Sequence, residues 1–170
     1  MATVAPTFAP SSIGTVIYDE RHPDSRAFAF EFVQRGIMPL DASAGIDALW
    51  SGPIRQLLEE RPKARIAGFT SPADFETMKR LAAETSRATL YEGAHDFGPT
   101  GLTTTIVYAG PRAHEFTWML GEAGNDWPPT LAHAVLTASL IGPDRQQERI
   151  TTLGAQARGD VGPLVSWVIG

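Results

Sequence analysis

Short β-rich runs alternate with helix-like segments through the first half of the chain, and this alternation restricts the fold more than any other feature. The runs cover residues 14–18, 37–40, 65–69 and 88–92. Strand and helix in alternation favour parallel strands joined by covering helices. The clearest helix start follows the third run, where Ser71 can cap, Pro72 suits the first turn and Asp74 completes a capping box.

The second half has a different pattern. Residues 102–109 and 114–120 are rich in β-formers, and the Gly-Pro-Arg at 110–112 predicts a hairpin turn between them. "WPPTLAHAVLTASLIG" predicts a deeply packed helix ending at Gly142, while "QERITTLG" and the apolar "PLVSWVIG" predict strands, the last one in the sheet interior.

These patterns together predict an α/β fold in one domain over residues 14–170. Its mixed sheet has a parallel N-terminal βαβαβαβ part, an antiparallel C-terminal hairpin extension, and helices on both faces. Residues 1–13, rich in Ala, Pro, Thr and Ser, are expected to be a disordered leader or what remains of one.

Composition excludes several classes of function. The formal net charge is −5 and the basic residues are scattered, which argues against nucleic acid as a partner. The absence of cysteine removes thiol catalysis, disulfides and cysteine-ligated metals. No apolar run is long enough for a membrane span. Glycine-rich nucleotide loops, a hydrolase elbow and metal-ligand histidine spacing are all missing from the sequence, so we predict neither a cofactor nor a metal.

Polar side chains follow each of the four predicted N-terminal strands. In an open α/β sheet the carboxyl ends of parallel strands gather at one edge, where ligands bind. We interpret Glu20, Arg21 and Asp24 as solvated turn residues. The candidates for catalysis are His95, Asp19 and Asp41, and the candidates for binding substrate are His22, Thr70, Ser71 and Trp127.

His95 is the strongest candidate for acid–base chemistry, because imidazole changes protonation near neutral pH and a carboxylate can orient it. Asp96 is a poor partner, since neighbouring residues of a strand face opposite ways. Asp19 or Asp41 from another strand is more plausible. Trp127, placed before a Pro-Pro helix start, is a candidate wall of a pocket or interface.

Four stretches, "PLDASAGIDALW", "RIAGFTSPADFETMKRLAAE", "YEGAHDF" and "PLVSWVIG", resemble parts of small bacterial proteins of unknown function that carry a twin-arginine export signal. The resemblance implies export to the periplasm and implies no reaction. The N-terminus here shows no twin-arginine pair, and without export the expected compartment is the cytoplasm.

Three functional hypotheses follow from the sequence. The first is an α/β domain that binds a small molecule or a partner at the carboxyl ends of the N-terminal strands. The second is a cofactor-independent lyase, isomerase or hydrolase centred on His95 with Asp19 or Asp41. The third is a structural protein that forms homo-oligomers through the exposed face of the hairpin.

Overall fold

The computed structural model describes residues 12–107, 113–137, 146–156 and 162–170. Its helices are α1 (Pro23–Val33), α2 (Ile46–Leu49), α3 (Arg55–Glu60), α4 (Pro72–Glu84), α5 (Ala113–Glu122) and α6 (Trp127–Leu136). Its strands are β1 (Ile13–Tyr18), β2 (Met38–Asp41), β3 (Arg65–Thr70), β4 (Thr89–Gly98), β5 (Gly101–Val107), β6 (Gln147–Leu153) and β7 (Leu164–Ile169). The expected leader falls almost wholly outside the described residues.

The strands of the described part form one mixed sheet in the order β2-β1-β3-β7-β4-β5-β6. β1 pairs in parallel with β2 and with β3. β7 is antiparallel to both β3 and β4, so β4 runs in the same direction as β1 to β3. β5 and β6 continue the sheet antiparallel. The predicted α/β fold, parallel in its N-terminal part and antiparallel in its C-terminal part, is confirmed.

The C-terminal strand joins the two parts of the sheet, which the sequence did not predict. β7 lies between β3 and β4. Its six residues are all buried, as the apolar sequence "LVSWVI" requires of a strand with packed layers on both sides. The expectation of an interior C-terminal strand is confirmed.

Helices cover both faces of the sheet, as predicted. On one face, α1, α5 and α6 pack their apolar residues, among them Phe28 and Leu131, against Phe69 and Tyr91. On the other face, Phe75 and Met78 of α4 pack with residues of α2 against Ile66 and Trp167. Successive strand residues point to opposite faces, so each buried strand contributes to both layers.

The prediction of a strand over residues 114–120 is wrong, because these residues lie in α5. Phe116, Trp118 and Leu120 alternate as in a strand, but Phe116 and Leu120 are also one helical turn apart. The structure buries Phe116 and Leu120 and leaves Trp118 70% exposed, which is the helical pattern. The hairpin consists of β4 and β5 instead. The predicted turn at 110–112 and the helix end at Gly142 lie outside the described residues.

Strand β4 is longer than predicted and continues past His95 to Gly98. The predicted run stops at residue 92, whereas Gly93 lies within the strand. A Cβ at Gly93 would approach the Tyr91 hydroxyl to 2.3 Å and Ser166 Oγ to 2.9 Å. Gly93 is therefore required by a close approach of side chains, and His95 lies in the sheet instead of a loop.

Candidate functional site

The strand order reverses between β1 and β3. We call the side chains that follow β1, β2 and β3 at the carboxyl ends of these strands the crevice, because open α/β sheets have one at such a reversal. The chain leaves β1 through α1 on one face to reach β2, and then passes through α2 and α3 on the other face to reach β3. The loops after β1 and β3 consequently diverge to opposite faces. In open α/β sheets this is the place where ligands bind.

Asp19 is the first residue after β1, and its carboxylate is completely buried. Arg21 holds it with a two-pronged ion pair, with Nε 2.9 Å from Oδ1 and Nη2 2.6 Å from Oδ2, and the Arg21 backbone N–H donates to Oδ1 at 3.0 Å. The Arg21 hydrogen bonds lower the pKa of Asp19, which therefore remains ionised. The arrangement fixes the orientation of a guanidinium group whose side chain is still 70% exposed.

The main chain around Asp19 is anchored to β3 through α1. The Asp19 N–H donates to Ser25 Oγ at 2.9 Å, and that hydroxyl donates to the carbonyl oxygen of Phe69. Because Ser25 is buried in the first turn of α1, the ends of β1, α1 and β3 are held together. The rim of the crevice on this side is rigidly supported.

His22 and Asp41 complete this side of the crevice. His22 Nε2 lies 3.4 Å from Asp19 Oδ2, and its Nδ1 has no hydrogen-bond partner within the described ranges. Asp41 accepts hydrogen bonds from the N–H groups of Glu20 at 3.2 Å and Ser43 at 3.0 Å. Burial disfavours ionisation of Asp41, but the hydrogen bonds from Ser43 and Glu20 outweigh it and lower its pKa. Asp19, His22 and Asp41 are therefore neighbours, as the sequence predicted.

The first turn of α4 forms the opposite side. Ser71 Oγ accepts from the Asp74 N–H at 3.2 Å and donates to Asp74 Oδ2 at 2.8 Å, which confirms Ser71 as the helix cap. Hydrogen bonds to Asp19, followed by the charges of Asp74 and Asp41, raise the pKa of Arg21. The guanidinium group of Arg21 thus lies within electrostatic reach of both sides of the crevice.

His95 does not belong to this crevice, and the predicted pairing with Asp19 or Asp41 is wrong. The side chain is buried, its Nδ1 lies 3.0 Å from Thr104 Oγ1, and its Nε2 lies 2.7 Å from Ser166 Oγ. Burial lowers the pKa of His95 to about 3, so the ring is neutral at physiological pH. The sequence could not show this, because the carboxyl end of β4 lies three residues beyond His95.

Thr70 and Trp127 are also buried, which contradicts their assignment as contact residues for a substrate. Thr70 accepts a hydrogen bond at 3.1 Å from the indole N–H of Trp167. Trp127 packs edge-on against Phe69 and lies 5.1 Å, centroid to centroid, from the His95 ring. Both residues build the core beneath the crevice.

Arg21 is the residue that sequence reasoning undervalued. We interpreted it as a solvated turn residue, but the structure pairs it with the buried carboxylate two positions earlier. The two side chains are brought together by the tight turn from Asp19 to His22, in which the His22 N–H donates to the Asp19 carbonyl oxygen at 3.0 Å. Such a turn directs the side chains of Asp19 and Arg21 toward the same side.

The crevice offers charge and hydrogen-bonding groups, namely the carboxylates of Asp19, Asp41 and Asp74, the guanidinium group of Arg21 and, beside them, that of Arg26, which donates to the Glu20 carbonyl oxygen. Within the described ranges, no group of three or more His, Asp or Glu residues could hold a metal ion. None of the described helices has the length and apolar character needed to cross a membrane. No family model matches the chain, and no curated protein or solved structure is significantly similar to it.

Proposed function

We propose that this protein is a binding domain for a small polar ligand, held in the crevice between the carboxyl ends of β1 and β3. The observation that supports the proposal is the fixed position of Arg21 at the reversal of strand order, paired with buried Asp19 yet largely exposed. A preformed group of this kind does not have to be ordered when a ligand binds, which lowers the entropic cost of binding.

The charge of the crevice favours a ligand without net negative charge. Arg21 is already neutralised by Asp19, while Asp41 and Asp74 add carboxylates within electrostatic reach. A phosphate or carboxylate ligand would meet these like charges, and a cationic amine would meet the guanidinium group of Arg21, which has the same charge and no acceptor. The hydroxyl groups of a polyol can donate to the carboxylates and accept from Arg21. We therefore propose polyols as the ligands.

The surroundings of His95 do not favour an acid–base enzyme centred on this residue. Both nitrogens of its ring are engaged by hydroxyl groups in the core, and its pKa is lowered by burial. A neutral imidazole without access to a substrate cannot transfer protons to it. The oligomer hypothesis relied on a hairpin strand over residues 114–120, which is helical.

The test is an NMR titration of the labelled protein with amines, polyols, phosphates and carboxylates as separate groups. A polyol should shift the amide signals of residues 19–22, 41–43 and 71–74, and compounds from the other three groups should not. Arg21→Lys keeps the charge but loses the planar two-pronged geometry, and should weaken binding about tenfold. Arg55→Lys, at an exposed arginine that pairs with Glu59 at 3.0 Å, is the matched control and should bind normally.

The proposal is wrong if every polyol leaves these three segments unchanged, or if only compounds from another group shift them. It is also wrong if Arg21→Lys and Arg55→Lys bind a hit equally well, because Arg21 would then make no contact with it.

A further inference from the structure

The two edge strands of the sheet differ in their capacity to accept another strand. β2 has four residues and includes Pro39, which lacks a backbone donor. β6 has seven residues and no proline, and within the described part of the chain it pairs with β5 alone. Edge strands are commonly protected by shortness, by proline or by charged side chains, since unpaired N–H and C=O groups are a template for another chain. β2 has the first two protections, whereas β6 has only the charges of Glu148 and Arg149.

Helix α5 lies alongside β6 and is fastened to it near both ends. His114 Nδ1 lies 3.5 Å from Glu148 Oε1, and Thr152 Oγ1 donates to the Leu120 carbonyl oxygen at 2.9 Å. Between these contacts lies an open groove of about 530 Å³, lined by Thr117 and Trp118 of α5 and by residues 148–151 of β6. A helix beside a free strand edge is the geometry in which an extended peptide can both extend the sheet and contact a side wall.

Trp118 gives the groove an apolar wall. Its side chain is 70% exposed, although the neighbouring helix positions Phe116 and Leu120 are buried. An exposed indole beside a strand edge loses a large apolar area from water when a partner covers it. Tryptophan is also among the residues that contribute most to protein–protein affinity.

The charge along β6 indicates which peptide fits. Ile150 is buried on the side of α5, so Glu148 faces that side too and Arg149 faces the other. Glu148 has His114 as a neighbour at 3.5 Å, whereas exposed Arg149 has no ion pair among the described residues. An added strand that places a carboxylate opposite Arg149 would form a favourable cross-strand pair.

We propose that β6 binds an extended segment of a partner protein as an additional strand of the sheet. In this complex an apolar side chain of the segment packs against Trp118 and an acidic side chain pairs with Arg149. A second copy of the chain fits less well, because antiparallel pairing of β6 with itself about Ile150 places Thr151 opposite Arg149. This surface is separate from the crevice, so the inference does not rest on the ligand proposed there.

The test uses two synthetic peptides as long as β6, one alternating valine with glutamate and the other valine with lysine. Binding is followed by tryptophan fluorescence, and hydrogen exchange reports the protection of β6 amides. The glutamate peptide should bind more tightly and should slow exchange in β6. Trp118→Ala should weaken this binding about thirtyfold, the loss typical of a central interface tryptophan.

Charge reversal gives the second, independent measurement. Arg149→Glu should weaken binding of the glutamate peptide roughly fivefold and reverse the preference in favour of the lysine peptide. Phe30→Ala on α1, where the ring is 57% exposed, and Arg55→Glu on α3 are the matched controls and should leave both affinities unchanged. Arg21→Lys should also leave them unchanged, which separates this test from that of the crevice.

Three results would overturn the proposal. The first concerns the β6 amides that are not hydrogen-bonded to β5. If these amides exchange slowly in the free protein and neither peptide alters their exchange, the edge is already covered. The second is equal binding of the two peptides by Arg149→Glu. The third is a mass that rises with protein concentration and falls to that of a monomer in Trp118→Ala, which would assign the edge to a second copy of the chain.

Discussion

Burial and hydroxyl partners together hold His95 in its neutral form. Its ring contacts Thr104 and Ser166, and Ser166 Oγ in turn lies 2.8 Å from the Tyr91 hydroxyl. These groups form a polar chain inside an otherwise apolar layer. Buried polar groups are costly when they are left without partners, so this chain specifies how β4, β5 and β7 align.

The pH dependence of stability follows from the lowered pKa of His95. The group binds a proton near pH 6.5 when unfolded and near pH 3 when folded. Its contribution to stability is complete above pH 6.5 and is lost progressively as the pH falls toward 3. In NMR titrations the ring signals of His95 should remain those of a neutral imidazole down to pH 5, and a midpoint near 6.5 would contradict the prediction.

Asp19 and Asp41 also lose their contributions on acidification, but at lower pH, because the pKa of each is lowered from 3.8. Urea unfolding of His95→Gln between pH 7 and 5 separates the two effects. The variant should be less stable at pH 7 and should lose less stability than the parent protein over this interval. Equal losses would show that His95 is not the group responsible.

Gly68 illustrates a second constraint at the scale of one residue. A Cβ at this position would lie 2.1 Å from Cζ2 of Trp167, whose ring crosses the strand there. Gly68→Ala should lower the free energy of unfolding by about 1–3 kcal/mol, the usual effect of overpacking. Gly121→Ala is the control, since a Cβ at Gly121 would meet its nearest neighbour at 3.8 Å. That variant should be unchanged or slightly more stable, because alanine favours helix.

At the scale of the element, the N-terminal cap of α4 is a feature that the sequence predicts and the structure confirms. Ser71, Pro72 and Asp74 act at the start of this helix as their types predict. Ser71→Ala should lower the free energy of unfolding by about 1 kcal/mol, and Ser71→Asp should restore most of it. Thermal unfolding checks this, with Thr77→Ala, at a half-buried position of the same helix beyond its first turn, as the control. Equal melting temperatures for Ser71→Ala and the parent protein would exclude the capping role.

Elements with a helix cap or a clear apolar pattern were predictable from the sequence. Elements whose apolar residues suit the spacing of a strand as well as that of a helix were not. α4 has a cap and an apolar stripe, and β7 is apolar throughout, so local sequence identifies both. In α5 the apolar residues suit a strand as well as a helix, and only the packing of Phe116 and Leu120 on the sheet decides between them. The predicted strand stops before Gly93, and β4 is longer. Glycine is needed at this position because the side chain of Ser166, which is distant in sequence, lies against it.

The candidate site was predictable to the extent that it depends on strand direction. Asp19, Asp41 and Ser71 gather because β1, β2 and β3 are parallel neighbours. His95 does not join them, because the register and length of β4 are set by pairing with the following strand β5 and with β7, which is distant in sequence. Nothing local in "YEGAHDF" encodes those partners.

At the scale of the whole molecule, β7 connects two parts that otherwise share no strand pairing in the described sheet. β1 to β3 form one part, and β4 to β6 form the other. A chain that ends at Gly162 should fail to unfold cooperatively and should give a poorly dispersed NMR spectrum. A peptide covering residues 163–170, added in excess, should restore part of the dispersion. A well-dispersed spectrum from the shortened chain alone would contradict this role of β7.

The position of β7 also has a consequence for synthesis. The strand that separates β3 from β4 is synthesised after every other strand of the described sheet. Until it emerges, the nascent chain carries two incomplete half-sheets whose facing edges have no partner in the described sheet, and such edges attract other chains. Emergence of β7 from the ribosome, and not of any earlier strand, is therefore the event that allows this sheet to close.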